Sequence, residues 1–399
     1  MTKARIIADY AGTGATTDLA TQAELDAVST VASAALPKAG GTMTGDLIPA
    51  TPLSNRNMII NGAMQIWQRK TSLTASDGSN EGYNSVDRWY FNFNSSHTGS
   101  IDVDKSGDTP DDFNGNSVQL KCASTGSPAS GSTDLIEFQT KLEAQNLQHL
   151  SYGSSNAKTM TLSWYMKATA FTSPIAIQLL TVDGTVEYFT VNRTPTTSWA
   201  RYSVTIPGST SATISNDNGH GFTLSFILSG AQNNPFVQTA DSTSWSTTVK
   251  TCQDDQGNFV SSTSNYLWIT GVQLELGSSA TPFEHRSYGD ELARCQRYYF
   301  LQVEGSGRNM GGLGWYYSST EVQWVCSFPV TLRTSPSLDY NQGSYYAAGG
   351  DGFTQINIQH PGPNSTNHYN HNEMSGTQHN NHRMETNHAS AKVAYVAEL

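Results

Sequence analysis

Period-two alternation runs through the middle of this chain. Met160, Leu162, Trp164 and Met166 alternate with Thr161, Ser163, Tyr165 and Lys167. Phe222, Leu224, Phe226 and Leu228 alternate with Thr223, Ser225 and Ile227. Tyr202, Val204 and Ile206 alternate with Arg201, Ser203 and Thr205, and Val272, Leu274 and Leu276 with Gln273 and Glu275. Successive side chains of an extended strand point to opposite faces, so each stretch reads as a strand with one face in a core. Turn signals separate them: Asp183-Gly184, Pro207-Gly208 and Asn216-Asp217-Asn218-Gly219. Many short strands with such punctuation predict a sandwich or jelly roll. The chain has no fixed repeat of the roughly 20–50-residue solenoid period, which counts against a parallel β-helix.

Composition agrees with a rigid β protein. The chain has 399 residues, enough for two or three domains. Only 14% of them are charged, against 37% hydrophobic, so neutral polar groups must wet the surface. The net charge of −11 argues against nucleic acid or an anionic membrane as partner, since both require a Lys/Arg footprint. The N-terminus has no apolar core of signal-peptide length and no stretch approaches a membrane span, so no membrane insertion is expected. Cys122, Cys252, Cys295 and Cys326 are widely and irregularly spaced, and none forms a CxxC pair. Two disulfides are arithmetically possible, but a chain of this size folds without staples, and buried free thiols are the expectation.

Residues 18–36 are Ala-rich, with Leu25, Val28, Ala32 and Ala35 at 3-4-3 spacing; Thr17 or Asp18 can cap such a helix and Pro37 stops it. A second short helix is expected over 287–297, capped by Ser287 or Asp290. Beyond it, Val322, Trp324, Cys326 and Phe328 alternate with other residues, giving a second β unit. The expected organisation is a segment 1–54, a β-sandwich 55–286, a helical linker 287–297 and a C-terminal β domain 298–399. Residues 359–390 are rich in Asn and His and nearly devoid of apolar residues, which reads as a long surface excursion.

Three segments carry a resemblance. Residues 35–47 read Ala-Leu-Pro-Lys-Ala-Gly-Gly-Thr-Met-Thr-Gly-Asp-Leu. Residues 57–69 read Asn-Met-Ile-Ile-Asn-Gly-Ala-Met-Gln-Ile-Trp-Gln-Arg, followed by Val86-Asp87-Arg88-Trp89. Then come Gly271-Val272-Gln273-Leu274-Glu275-Leu276-Gly277, Thr281-Pro282-Phe283-Glu284 and Ala293-Arg294-Cys295-Gln296-Arg297-Tyr298-Tyr299. Together these resemble segments that recur in bacteriophage tail fibres. The resemblance implies a virion adhesin, made in the host cytoplasm, that attaches to a phage tail or baseplate protein through its N-terminal segment. It also implies a homotrimer, in which 18–36 is a short helical neck; without it the same residues read as a linker helix. The fibre segment occurs once, which implies a short shaft. Trp164-Tyr165-Met166-Lys167, Thr197-Ser198-Trp199-Ala200-Arg201-Tyr202 and Gly271-Val272-Gln273-Leu274-Glu275 further resemble jelly-roll carbohydrate-binding modules in pattern and order.

Glycan is the partner class this resemblance implies. Sugars stack their C–H faces on aromatic rings and offer hydroxyls to Asn, Gln and Asp. Trp315, Tyr316 and Tyr317 follow Gly311, Gly312 and Gly314, and Tyr345-Tyr346 lie in a Gly/Ala-rich stretch. These five are the aromatic candidates for a host surface polysaccharide, with core or trimer-interface packing as the alternative. Trp164 and Trp324 read as core, and Trp67 and Trp89 as structural, with Asp87-Arg88 an ion pair or turn anchor. His368/His371 and His379/His382 are HxxH pairs that could hold a divalent metal, but with no Cys nearby and an Asn-rich surround they read rather as a hydrated, pH-sensitive loop. Asp111-Asp112, Asp254-Asp255 and Asp290-Glu291 are adjacent carboxylates of the kind that usually form solvated turns, rather than the separated pair a glycosidase needs. No GxSxG, HExxH or P-loop occurs, and the expectation is a binding protein rather than an enzyme. The alternatives are a structural virion component without a receptor and a glycan-degrading tail spike.

Overall fold

Met160, Leu162, Trp164 and Met166 are fully buried, while Tyr165 and Lys167 on the opposite face are only partly covered. That division builds the molecule. The computed structural model describes Asp26 and residues 54–399, apart from 80, 94–96, 112, 129–133, 232–236, 342, 344, 348–351 and 378–379. Asp26 is helical and exposed. The rest of the 18–36 neck and the 35–47 segment lie outside the described residues. Thr51–Leu399 forms one compact unit.

The protein is mainly β. A six-stranded sheet carries, in spatial order, Ser72–Ser76, Ser100–Ser106, Ser117–Ser124, Tyr266–Leu276, Met160–Thr169 and Ala200–Ile206. A five-stranded sheet carries Trp89–Phe93, Leu135–Glu143, His220–Gly230, Ile175–Thr181 and Glu187–Arg193. All ladder pairings within both are antiparallel. The chain passes repeatedly from one sheet to the other, the habit of a jelly roll. The core lies between them. Trp89 stacks on Phe138 at 4.6 Å, and Trp164 meets Phe226 edge-on across the sheets at 5.9 Å. Each such side chain contributes about 1.5–3 kcal/mol through burial.

Two of the segments that resemble tail fibres, 57–69 with 86–89 and 271–299, converge on one seam. Asn57 bridges into the strand Tyr266–Leu276, donating from Nδ2 to the Val272 carbonyl at 3.0 Å and accepting from the Leu274 N–H at 3.1 Å. Gly62 lies so close that a Cβ there would sit 2.1 Å from the Val272 oxygen. The Glu284 carboxylate accepts the N–H groups of Arg56 and Asn57 at 3.1 and 3.0 Å. Asn61 donates from Nδ2 to the Ile66 and Asp87 carbonyls, each at 2.9 Å, and its own N–H reaches Glu291. Glu291 and Cys295 are buried on the helix Tyr288–Gln296, which Ser287 caps, so this helix is packed into the seam rather than standing as a linker. Asp87 does not pair with Arg88: it takes Gln68 and Arg69, whereas Arg88 takes Glu398.

A second core lies in the C-terminal residues, between a three-stranded and a seven-stranded sheet, and includes Tyr316, Trp324, Met384 and Tyr395. The seven-stranded sheet corrects the expectation for 359–390. Ser365–His371 and Asn381–Thr386 are strands of it, not a surface excursion. The inward residues of the first are Thr366, His368 and Asn370, all buried. Their polarity hides the alternation from a hydrophobic pattern. Hydrogen bonds make the burial tolerable: His368 Nε2 meets the Tyr395 hydroxyl at 2.8 Å, and Asn370 Nδ2 donates to the Gln355 carbonyl and to Glu373, each at 2.8 Å. All four cysteines are free and buried.

Candidate functional site, an aromatic cleft on the six-stranded sheet

The outer face of the six-stranded sheet is built in cross-strand rows. Gln119 pairs with Trp268 and Trp268 with Lys167; Thr270 pairs with Tyr165 and Tyr165 with Arg201. Pairs of this kind stabilise a sheet face, and here they also lay down a floor. Tyr165 and Lys167 face solvent from the strand Met160–Thr169. Thr197, Ser198 and Trp199, in the turn entering Ala200–Ile206, raise one wall. Pro110 and Asp111, in the connection between Ser100–Ser106 and Ser117–Ser124, raise the other. The open cleft between them holds about 500 Å³, within the range of small-ligand sites.

The walls are fixed in place. Ser117 donates from Oγ to the Asp108 carbonyl at 2.6 Å, and Phe113 N–H to the Pro110 carbonyl at 3.1 Å. The Phe113 ring packs against Tyr165 at 5.7 Å and against Phe283 at 5.2 Å. This approach depends on Gly271, in the left-handed region at φ +60° where the ladder is irregular between Thr270 and Gln273. A Cβ there would lie 2.7 Å from the Tyr165 ring and 3.0 Å from Phe113. On the other wall, the Ala168 N–H donates to the Thr196 carbonyl at 2.8 Å.

One carboxylate organises the polar groups. Asp108 accepts the Trp199 indole N–H at 3.0 Å and is ion-paired with Lys167. The Lys167 ammonium also lies over the rings of Trp199 and Trp268, with its nitrogen 5.2 and 4.9 Å from their centroids. Burial raises the Asp108 carboxyl, but the hydrogen bonds from Lys167 and Trp199 outweigh it and hold the group below the ordinary carboxylate value. The cleft therefore presents an indole and a phenol face, two hydroxyls, a neutralised ammonium and, at the rim, the exposed Asp111.

The aromatic candidates from sequence lie elsewhere and on two faces. Tyr316 and Tyr345 are buried in the C-terminal core, the latter donating its hydroxyl to the Lys392 carbonyl at 2.8 Å. Trp315 is half-buried and Tyr317 is 58% exposed on the outer face, beside exposed Leu313 and Val325. Tyr346 donates its hydroxyl to Glu385 at 2.5 Å. His368 and His371 point to opposite faces, as a three-residue spacing on a strand requires: the ring of His368 stacks on Trp324 at 5.0 Å, whereas His371 is exposed beside Glu321. His382 packs its ring on Tyr316, and His379 lies outside the described residues. Among the described residues, no three His, Cys, Asp or Glu side chains are grouped to hold a metal. Of the adjacent carboxylates, Asp255 accepts from Asn192, Asp290 accepts from the Ser287 hydroxyl, Asp111 borders the cleft and Asp112 is not described.

No family model and no curated protein matches this sequence. Several solved structures are similar to part of it. One is the carbohydrate-binding module CBM4, at 13% identity and a TM-score of 0.29, covering 54% of this chain and 98% of that one. A second is the enzymatically active domain of bacteriophage CBA120 tailspike protein 4, at 13% identity and 0.29, covering 55% of this chain and 21% of that one. A third is the family 11 carbohydrate-binding module of a Clostridium thermocellum cellulosomal cellulase, at 14% and 0.27, covering 51% and 95%. These scores are too low to carry a ligand or an activity to this chain.

Sequence reasoning missed the cleft although its residues were in view. Tyr165, Lys167 and Trp199 stood inside the stretches that resemble carbohydrate-binding modules. The usable signal was a bulky aromatic, Trp199, in a Thr/Ser turn immediately before an alternating strand.

Proposed function

We propose that this protein is a phage tail-fibre adhesin that binds surface polysaccharide of its bacterial host through the cleft at Trp199. The observation that supports the reading is that Trp199 and Tyr165 line one cleft together with hydroxyl, ammonium and carboxylate groups. Aromatic faces take the C–H surfaces of a sugar, and the polar groups take its hydroxyls. Fibre identity rests on the three segments that resemble tail fibres. The action is binding without bond cleavage: Asp108, already held by two donors, is ill-suited to act as a general acid. In a homotrimer joined to the tail or baseplate through 1–54, three shallow sites per fibre turn weak contacts into avidity.

A second reading places the receptor contact at the C-terminal sheet, where Leu313, Tyr317 and Val325 are exposed with Trp315 on one face. Adsorption competition separates the two. Full-length protein added to host cells before phage should block infection, and Trp199→Ala should abolish the block. Loss of blocking with Trp315→Ala and Tyr317→Ala instead would move the site to the C-terminal face. Failure of the unaltered protein to block would favour a structural virion component without a receptor.

A further inference from the structure

We propose that Asp108 is the specificity-determining residue of the cleft, a charge gate that makes it accept uncharged, hydroxyl-rich saccharide and reject uronic-acid chains. The proposal rests on the reading of the cleft as a glycan site and names what that site selects.

The geometry is that of a cation already engaged. Lys167 is the ammonium that lines the cleft floor, and it is held on three sides: by the Asp108 carboxylate and by the rings of Trp199 and Trp268 at 5.2 and 4.9 Å. Its side chain is 17% exposed and lines the cleft; Asp108, 45% exposed, is not itself a lining residue but stands at its edge against two that are, Lys167 and Trp199. A uronate entering here would have to displace Asp108 from Lys167, or approach Asp108 and Asp111 with Lys167 already neutralised. In either case like charges meet, and an unpaired carboxylate is left behind. A sugar hydroxyl faces no such exchange. It can donate to a free lone pair of Asp108 or accept from Lys167 without disturbing the pair.

Asp108 also fixes Trp199 by accepting its indole N–H at 3.0 Å. One side chain thus sets both the ring that stacks on the sugar and the charge the sugar meets. Lys167 stands on the rigid sheet and Trp199 at the entry to its neighbouring strand, but Asp108 comes from a loop 91 residues away in sequence from Trp199. A substitution there changes the charge on Lys167's partner while leaving the strand backbone of the floor in place.

The test uses the full-length protein in native affinity electrophoresis. The probes are polygalacturonate, alginate and hyaluronate, each run beside its carboxyl-reduced, uncharged form. The variants are Asp108→Asn, which keeps an acceptor for the Trp199 indole but removes the charge, and the double substitution Asp108→Asn with Lys167→Met. The expected result is retardation of the unaltered protein by at least one uncharged form, about tenfold stronger than by its charged parent, a ratio worth one charge-assisted contact. Asp108→Asn should reverse the order and gain salt-sensitive retardation by the charged chain. Adding Lys167→Met should remove that gain. If the charged parent retards the unaltered protein as strongly as the uncharged form, or if Asp108→Asn leaves the order unchanged, the gate is overturned. In that case Trp199→Ala, by abolishing retardation, would keep the glycan reading alive. If no probe is retarded at all, the gate and the glycan reading fall together.

Discussion

Arg88 and Glu398 form an ion pair with both side chains buried, 1% and 7% exposed, joining the sandwich to the residues just past Lys392–Val396, the last strand of the three-stranded sheet. The Arg88 guanidinium lies 3.5 Å from the ring centroid of Tyr298 and donates to the Lys141 carbonyl at 2.7 Å. Glu398 also takes Arg69 at 2.9 Å, and Arg69 lies 3.6 Å from the ring centroid of Tyr299. Two arginines, two tyrosines and one carboxylate thus lock the two cores together. Arg88 is held at φ +71°, a conformation that persists in a non-glycine residue only where its surroundings over-determine it.

Removing one partner of this pair should be costly. Glu398→Ala leaves the buried Arg88 guanidinium without its carboxylate and Arg69 with only the longer contact to Asp87 at 3.5 Å, and breaking a buried pair destabilises by about 3–5 kcal/mol. The midpoint of denaturant unfolding followed by tryptophan fluorescence reads this out. A shift equal to that of an exposed pair such as Arg193–Asp241 would show that the Glu398 contact is not what holds the cores together.

Gly62 should tolerate no side chain. A Cβ there would lie 2.1 Å from the Val272 carbonyl oxygen, a backbone atom that also belongs to the hydrogen bond from Asn57. Gly62→Ala is expected to lower stability by about 1–3 kcal/mol, as overpacking does. Gly289→Ala is the control, since a Cβ at that position would meet nothing within 4 Å. Equal melting temperatures for the two variants would refute the close approach.

Which features were readable from sequence follows from where hydrophobicity and burial coincide. The Met160–Met166 alternation, the Ser287 cap and the structural placement of Trp89, Trp164 and Trp324 were legible because apolar residues there face the core and polar ones face water. The stretch around His368 was not, because its inward residues Thr366, His368 and Asn370 are polar, and the contact that anchors His368, to the Tyr395 hydroxyl, comes from another strand. Tyr316 and Tyr345 looked like loop aromatics among glycines, but the glycines serve strands: a Cβ on Gly314 would meet the Met384 sulfur at 2.5 Å. The cleft was illegible for a related reason. Asp108, Tyr165 and Trp199 come from three separate parts of the chain, and only the strand register brings them together.

Gly271→Ala should damage the cleft more than the fold. The substitution places a Cβ in the left-handed region, at about 1–3 kcal/mol, and presses it 2.7 Å from the Tyr165 ring. Displacement of Tyr165 is expected to weaken polysaccharide retardation as Trp199→Ala does, while far-ultraviolet circular dichroism stays that of a folded β protein. Unchanged retardation would mean that the position of Tyr165 does not matter to binding.

The thiols should be silent until the protein unfolds. Cys122, Cys252, Cys295 and Cys326 are all buried and unpaired. Burial pushes the Cys252 thiol up to about 11 and that of Cys295 well above its ordinary value, so neither is a thiolate at neutral pH. Labelling with a chromogenic disulfide reagent should be negligible in buffer and reach four thiols per chain in denaturant. Rapid reaction of any thiol in the folded protein would contradict this burial.

His368 should make the C-terminal core acid-sensitive. Its ring is sealed between Trp324 and Tyr395, and burial lowers its pKa from 6.5 to about 4. In the unfolded chain the same group protonates near its ordinary value, so between those two points the unfolded state binds more protons and stability falls as pH falls. The full loss is about 3 kcal/mol, at roughly 1.36 kcal/mol per unit. Asp87 works against it: burial raises its carboxyl to about 6, which favours the folded state as pH drops towards 4. His220, lowered to about 4 by burial, acts in the same sense as His368, so a single pH profile mixes several groups and a difference between profiles isolates His368. His368→Gln should be less stable than the unaltered protein at pH 7, and the gap in unfolding free energy should close as the pH is taken from about 7 to 4. A gap that stays constant over that range would mean that His368 either is protonated within the fold or is reached by water without cost.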